Sequence, residues 1–380
     1  MTDNRVMVVE CDQYKRKLVT ERLRAGLEPW GGMEEFVSPG DRVLLKVNLL
    51  MGKAPQEAVT THPVIVQGVA DLVAEAGGKP IIGDSPGGPF NKSMLNRVYG
   101  KTGMDTAADT TEAELNFEFG VETVSFAEGK VLNNLQLGTF VQEADVIINL
   151  PKFKTHELTK LTGAVKNMFG AVAGLLKAEY HLNMQEINDF ADVLLDIAQA
   201  TAPDLSIMDG IVGMEGEGPS GGDTIKLDTI LISPDLCALD VAMADLAGVE
   251  PEKVPAIAAA RERGLVSRRD EIEVLGDEIE IDTFITPQIG DTAELLNQRL
   301  PGFLAAWVQK LLRPKPVFDE EKCIQCGACI RSCPPQVITK TEKGVEADLD
   351  DCIRCFCCQE LCPEEAVEIH RPWLGRLLFE

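Results

Sequence analysis

The chain has 380 residues, which at about 150 residues per domain predicts two or three domains. Hydrophobic residues make up 45% and exclude a largely disordered chain, and the 5% of aromatics argues against a surface that stacks sugars or bases. Lys and Arg number 36 against 61 Asp and Glu, and the net charge of -25 works against general nucleic-acid binding.

The first residues are charged and carry no apolar signal core. No uncharged run approaches the roughly 18 residues of a membrane span, so the expectation is a cytoplasmic protein without a transmembrane segment. From there, strand-like and helical patterns alternate. Val6–Val9 reads as a strand and Lys15–Leu27 as a helix. Val43–Val47 is a strand, Pro63–Ala76 a helix with Thr61 as candidate cap, and Pro80–Gly83 a strand. Val146–Leu150, Leu205–Met208 and Ile230–Ile232 are strands, and Ile187–Ala200 and Asp235–Leu246 are helices. Such alternation predicts an α/β fold, a mostly parallel sheet with helices on both faces.

Familiar nucleotide and hydrolase signatures are missing. Polar groups gather instead where strands end, the place where open α/β sheets bind ligands. Val43–Val47 carries Lys46 and runs into Asn48; Pro80–Gly83 runs into Asp84 and Ser85. Val146–Leu150 runs into a basic block from Asn149 to Gly170 that holds Lys152, Lys154, Lys160, Lys166 and His156 against one acid, Glu157. In so acidic a chain this is a local reversal of sign. Lys152, Lys154 and His156 alternate, so an extended segment puts them on one side. The expected ligand is a phosphate- or carboxylate-bearing small molecule held by Lys46, Asn48, Ser85, Lys152, Lys154, Lys166, Asn167 and Glu215. His62, Asp84 and His156 are the candidates for acid–base work, with Asp209 a further acid. Gly210 to Gly222 is glycine-rich and is either a ligand loop or a surface loop.

Nine of the eleven cysteines fall between Cys323 and Cys362. Two runs, Cys323, Cys326, Cys329, Cys333, Pro334 and Cys352, Cys355, Cys358, Cys362, Pro363, fit C-x2-C-x2-C-x3-C-P, the spacing of bacterial two-cluster ferredoxins. Three thiolates of each run grip one cluster and the fourth reaches the other. Cys323, Cys326, Cys329 and Cys362 are therefore assigned to one [4Fe–4S] cluster, and Cys352, Cys355, Cys358 and Cys333 to the second. A pair of zinc knuckles is the competing reading. Cys357 is a ninth cysteine, either a spare thiol beside the cluster or a replacement for Cys358. Acids outnumber bases here, an acidic rim suited to a basic redox partner protein.

The stretches Thr60-Thr61-His62-Pro63, Gly83-Asp84-Ser85-Pro86-Gly87, Asn149 to Gly170 and Met208-Asp209-Gly210 resemble the domain of unknown function 362 family. The resemblance spans roughly residues 5–290, and Pro151-Lys152-Phe153-Lys154-Thr155-His156 is its most specific part. Members often carry a two-cluster ferredoxin domain, so it implies the architecture without a reaction. The expected division is residues 1–290 as the α/β domain, 291–316 as helix and linker, 317–372 as the ferredoxin-type domain and 373–380 as a tail. Residues 295–312 have helical apolar spacing, read as a docking or homodimer contact, with a membrane-surface helix as the alternative. Three functions remain open: electron transfer to or from an anionic ligand, a non-catalytic electron carrier or adaptor, and clusters with a structural or sensing role.

Overall fold

The computed structural model describes residues 3–184, 186–287 and 314–370. The predicted helix at 295–312 and the tail beyond 370 lie outside the described residues. In chain order the strands before the cysteines are β1 (Arg5–Glu10), β2 (Arg42–Val47), β3 (Lys79–Gly83), β4 (Glu114–Leu115), β5 (Val121–Ser125), β6 (Asn134–Gly138), β7 (Val146–Leu150), β8 (Lys152–His156), β9 (Lys160–Leu161), β10 (Leu205–Glu215), β11 (Asp223–Ser233) and β12 (Glu273–Gly276). Helices are α1 (Arg16–Leu27), α2 (Pro63–Glu75), α3 (Lys92–Thr102), α4 (Met104–Asp109), α5 (Thr139–Gln142), α6 (Gly163–Asn167), α7 (Leu176–Asn183), α8 (Ile187–Thr201), α9 (Leu236–Leu246) and α10 (Pro255–Glu262).

The main sheet runs β12-β1-β11-β10-β7-β2-β3-β4, with β8 attached to β10. Only β11 runs against its neighbours in that path; the other pairings are parallel. Both faces are covered, as a parallel sheet requires. Along β2 the side chains alternate between the two cores: Val43, Leu45 and Val47 pack with α1 and α2, while Leu44 packs with α8. The amphipathic face of α2 supplies Ile65, Val66, Val69 and Val73 to the first core. The mostly parallel α/β reading therefore stands.

Local details depart from the sequence reading. Thr61 is not the cap of α2. Its hydroxyl accepts from Asn48 N (2.9 Å) and donates to Leu150 O (2.6 Å), tying two strand ends together. His62 takes the cap position, its Nδ1 accepting from Val64 N at 3.2 Å. Gly210 to Glu215 is not a loop: β10 runs through it and pairs with β11 to the end. The glycines there permit close approach, since a side chain on Gly213 would strike Leu227 and the Phe153 carbonyl. Only residues 216–222 remain as a turn.

The cysteine region has two small antiparallel pairs. β13 (Lys315–Phe318) pairs with β16 (Val367–His370), and β14 (Ile338–Lys340) with β15 (Val345–Ala347). Two short helices, Ala328–Ser332 and Cys357–Glu360, carry the third cysteine of each run, Cys329 and Cys358. This region rests on the carboxyl edge of the main sheet. Lys53 Nζ pairs with Glu365 at 2.6 Å, Ser220 Oγ donates to Glu360 O at 3.1 Å, and Gln359 Nε2 donates to Glu217 O at 3.2 Å.

Candidate functional site

The parallel strands set the floor of the site. In register, Lys46 on β2 faces Gly83 on β3 and Asn149 on β7, so all three strands end at one edge. Lys46 Nζ lies 2.7 Å from Asp84 Oδ1, and it donates to the Val47 and Asn167 carbonyls at 2.9 Å each. Asp84 in turn accepts from Leu49 N (2.7 Å) and Ser85 N (2.9 Å). Gly170 sits against this pair so closely that any Cβ would strike it.

An amide ladder crosses the same edge. Asn48 donates to Asn167 Oδ1 (2.9 Å), Asn167 to Asn149 Oδ1 (2.7 Å), and Asn149 to Ser206 Oγ (3.2 Å). Asn167 belongs to α6, whose first turn is anchored by buried Asp240 accepting from Ala164 N and Val165 N (3.0 Å for the latter). Buried polar groups this well paired fix one arrangement of the edge.

Above this floor lies a cavity of about 100 Å³. Its wall includes Asn48, Asp84, Ser85, Lys154, Lys166 and Asn167, all foreseen from the sequence. It also includes Lys177 and His181 from α7, Thr162, and Cys357, Glu360 and Leu361 from the cysteine region, which the sequence reading had not linked to a ligand. Lys177 Nζ holds Ser85 O (2.6 Å) and Ser85 Oγ (3.0 Å). Lys154 Nζ donates to Asn48 Oδ1 (3.0 Å) and Val59 O (2.6 Å), both uncharged. No hydrogen bond or ion pair engages Lys166 Nζ among the described residues.

The electrostatics follow from burial. Loss of hydration pulls Lys154 down to about 7, and the neighbouring Lys166 adds repulsion. Burial likewise brings Lys177 to about 7, partly offset by Asp84. Lys166 is lowered by burial, with Glu360 opposing. Burial holds His156 and His181 at about 4, neutral at pH 7. His156 Nδ1 accepts from Leu158 N (3.0 Å), which leaves the proton on Nε2, 3.1 Å from Glu360 Oε1. Burial raises the Glu360 carboxyl, but its contact with His156, and then Lys166, outweighs this and brings it to about 2.

The remaining predicted residues stand apart from the cavity. Lys152 Nζ donates to Asp209 Oδ2 (2.8 Å) and lies 3.1 Å from Tyr14 OH; Tyr14 donates to Asp209 Oδ1 (2.7 Å). His62 stacks on Tyr14 with ring centroids 3.5 Å apart, and its backbone N–H donates to Asp209 Oδ2. Lys152 and Asp209 are fully buried in this cluster, while Tyr14 and His62 are half-buried. Glu215 lies at the end of β10, where its carboxylate accepts from Ile285 N at 2.7 Å.

The eight cysteines of the two runs gather as two fours. Cys323, Cys326, Cys329 and Cys362 line one void of about 20 Å³, and Cys333, Cys352, Cys355 and Cys358 line another of about 20 Å³. All are free thiols. Among the described residues no three His, Cys, Asp or Glu close on a single ion. Four cysteines around a void otherwise lined mostly by apolar residues suit an iron–sulfur cubane. The two loops repeat one backbone: Gln325 and Gly327 in the first, Arg354 and Phe356 in the second, adopt positive φ. That match equates Cys358 with Cys329 and Cys357 with Ala328. Cys357 lines the cavity with the lysines, not the void.

Comparisons with known proteins agree with this layout. Residues 43–245 match the family described as domain of unknown function 362, and residues 315–363 match a 4Fe-4S dicluster domain. The chain is 40% identical over 262 residues to a thylakoid-associated protein of Synechocystis sp., covering 68% of this chain and 79% of that one. Among solved structures it is similar to the lactate racemase apoprotein of Thermoanaerobacterium thermosaccharolyticum, at 12% identity and TM-score 0.39, over 66% of this chain and 59% of the racemase. A Thermotoga maritima protein gives 11% identity and TM-score 0.38 over 63% of this chain and 61% of its own. The chain thus spans about three fifths of the length of these two structures. No helix of the described residues is long and apolar enough to cross a membrane.

Proposed function

We propose that this chain, which belongs to the domain of unknown function 362 family and carries a 4Fe-4S dicluster domain for electron transfer, is an oxidoreductase whose two [4Fe–4S] clusters exchange electrons with an anionic ligand in the cavity. One observation carries the reading. Lys154, Lys166 and Lys177 share a single cavity wall with Cys357 and Glu360, and Cys357 and Cys358 are adjacent on one short helix. The ligand pocket and the second thiol-lined void are therefore separated by one turn of chain.

The ligand set is Cys323, Cys326, Cys329 and Cys362 for one cluster, and Cys352, Cys355, Cys358 and Cys333 for the other. When bound, such clusters supply electrons one at a time. The chain does the rest. Lys166 and Lys154 hold the anion, and the amide ladder fixes where they stand. Lys154 and Lys177, near neutrality in acidity, hold the protons that accompany reduction. Asp84 pairs with Lys46 beneath them, and His156 stands 3.1 Å from Glu360. His62 and Lys152, engaged in the Asp209 cluster, take no part. A reducing cytoplasm keeps these thiols available for iron.

A pure carrier or adaptor is the second reading, and the exposed Ile324 favours it, standing 61% exposed between Cys323 and Cys326 as a contact for another protein. The test is anaerobic purification followed by iron and acid-labile sulfide analysis, then electron paramagnetic resonance after reduction. About eight of each per chain are expected. Adding inorganic phosphate or glycolate should change the reduced spectrum. Zinc in place of iron, or a spectrum indifferent to every anion tried, defeats the oxidoreductase reading and leaves the adaptor.

A further inference from the structure

The cavity is cationic, yet a carboxylate stands in its wall. Glu360 is 8% exposed and shares the lining with Lys154 and Lys166. Its Oε1 lies 3.1 Å from His156 Nε2, but neither atom completes a hydrogen bond among the described residues. Thr162, 4% exposed on the same wall, has a hydroxyl without a partner. Buried polar atoms left this way are costly unless something arrives to pair them.

A carboxylate only accepts hydrogen bonds. A fully ionised oxyanion entering here sets acceptor against acceptor at Glu360. An oxyanion with an O–H of its own donates to the carboxylate while the lysines take its charge. One residue thus attracts one class of anion and repels the other. The space is small. At about 100 Å³ it is below the roughly 150 Å³ that admits benzene, and so suits a ligand of a few heavy atoms.

Resting on the anion-binding reading above, we infer that the cavity selects a small oxyanion that carries its own O–H donor, with the charge on Lys154 and Lys166 and the O–H on Glu360.

The test is calorimetry on the full chain with its clusters, at pH 7, using two matched pairs of probes. Inorganic phosphate keeps a proton there and sulfate does not; glycolate has a hydroxyl and acetate does not. Phosphate should exceed sulfate, or glycolate exceed acetate, by about tenfold or more. The first result places the O–H on the anionic group, the second on the neighbouring atom. Glu360→Gln should shrink the preference to about threefold or less with iron content unchanged. An unchanged preference in that variant removes Glu360 from the selection and overturns the inference. Should the variant lose its clusters, the wild-type preference still decides. Equal affinity within both pairs overturns the inference and leaves the anion site standing; no binding by any of the four probes overturns both.

Discussion

Lys152 and Lys154 stand two residues apart on the same face of β8, and both are buried, at 0% and 1% exposure. Their surroundings differ. Lys152 meets a carboxylate and a phenol that also bind each other, so its charge is matched and its protons are used. Lys154 meets only an amide oxygen and a carbonyl, with Lys166 nearby and a cavity in front. Burial alone does not mark a functional lysine. Burial without a counter-charge is what makes Lys154 the candidate for an anion.

The largest effect should come from breaking the Asp209 cluster. Lys152→Ala leaves buried Asp209 without its cation and should cost about 3–5 kcal/mol, read as a lower denaturation midpoint. Its affinity for phosphate, measured under conditions where it stays folded, should be unchanged. If it weakens phosphate as Lys166→Ala does, the two clusters are one.

Lys166→Ala is the converse. Phosphate affinity should fall about ten- to a hundredfold, from loss of a charged hydrogen bond. Stability should hold or rise, because a buried amine without a partner is gone. A drop in midpoint comparable with that of Lys152→Ala would make Lys166 structural.

Acidity gives a third, smaller effect. Lys154 and Lys177 sit near 7, so their charge is present below that pH and lost as pH rises through it. An anion binds the charged form. Affinity for glycolate, whose own charge is constant over the range, should therefore fall about tenfold between roughly pH 6 and 8.5. A flat profile would show that neither lysine touches the anion.

The smallest effect is expected at Cys357. Cys357→Ser should keep about eight irons per chain and alter only the spectral response to bound anion. About four irons would instead make Cys357 a cluster ligand in place of Cys358.

Much of this was legible beforehand, and the reasons are specific. β2, β3 and β7 are continuous apolar runs, and a parallel sheet buried on both faces needs such runs. Their polar ends therefore had to meet at one edge, which brought Lys46, Asn48, Asp84, Asn149 and Lys154 into view. The cysteine spacing carries its own geometry, since a cubane fixes how far apart its thiolates stand. The difference between Lys152 and Lys154 was not legible. Alternation puts them on one face, but only the folded chain brings Tyr14 and Asp209 to the first. Nor does any local pattern tie Glu360 to Lys166, because their proximity depends on how the cysteine region settles on the sheet. Lys177 and His181 ride on a short helix whose polar face reads like any solvated one.

Gly87 lies so close to Leu361 that no side chain fits between them, and Leu361 forms part of the cavity wall. The iron–sulfur region is thus the stopper of the vessel as well as its wiring. Whatever sits inside helps to hold the stopper in, and by reciprocity a well-seated stopper holds the contents by the same factor. Electrons would then be offered most readily when the vessel is full, with no separate gate to keep an empty one from discharging.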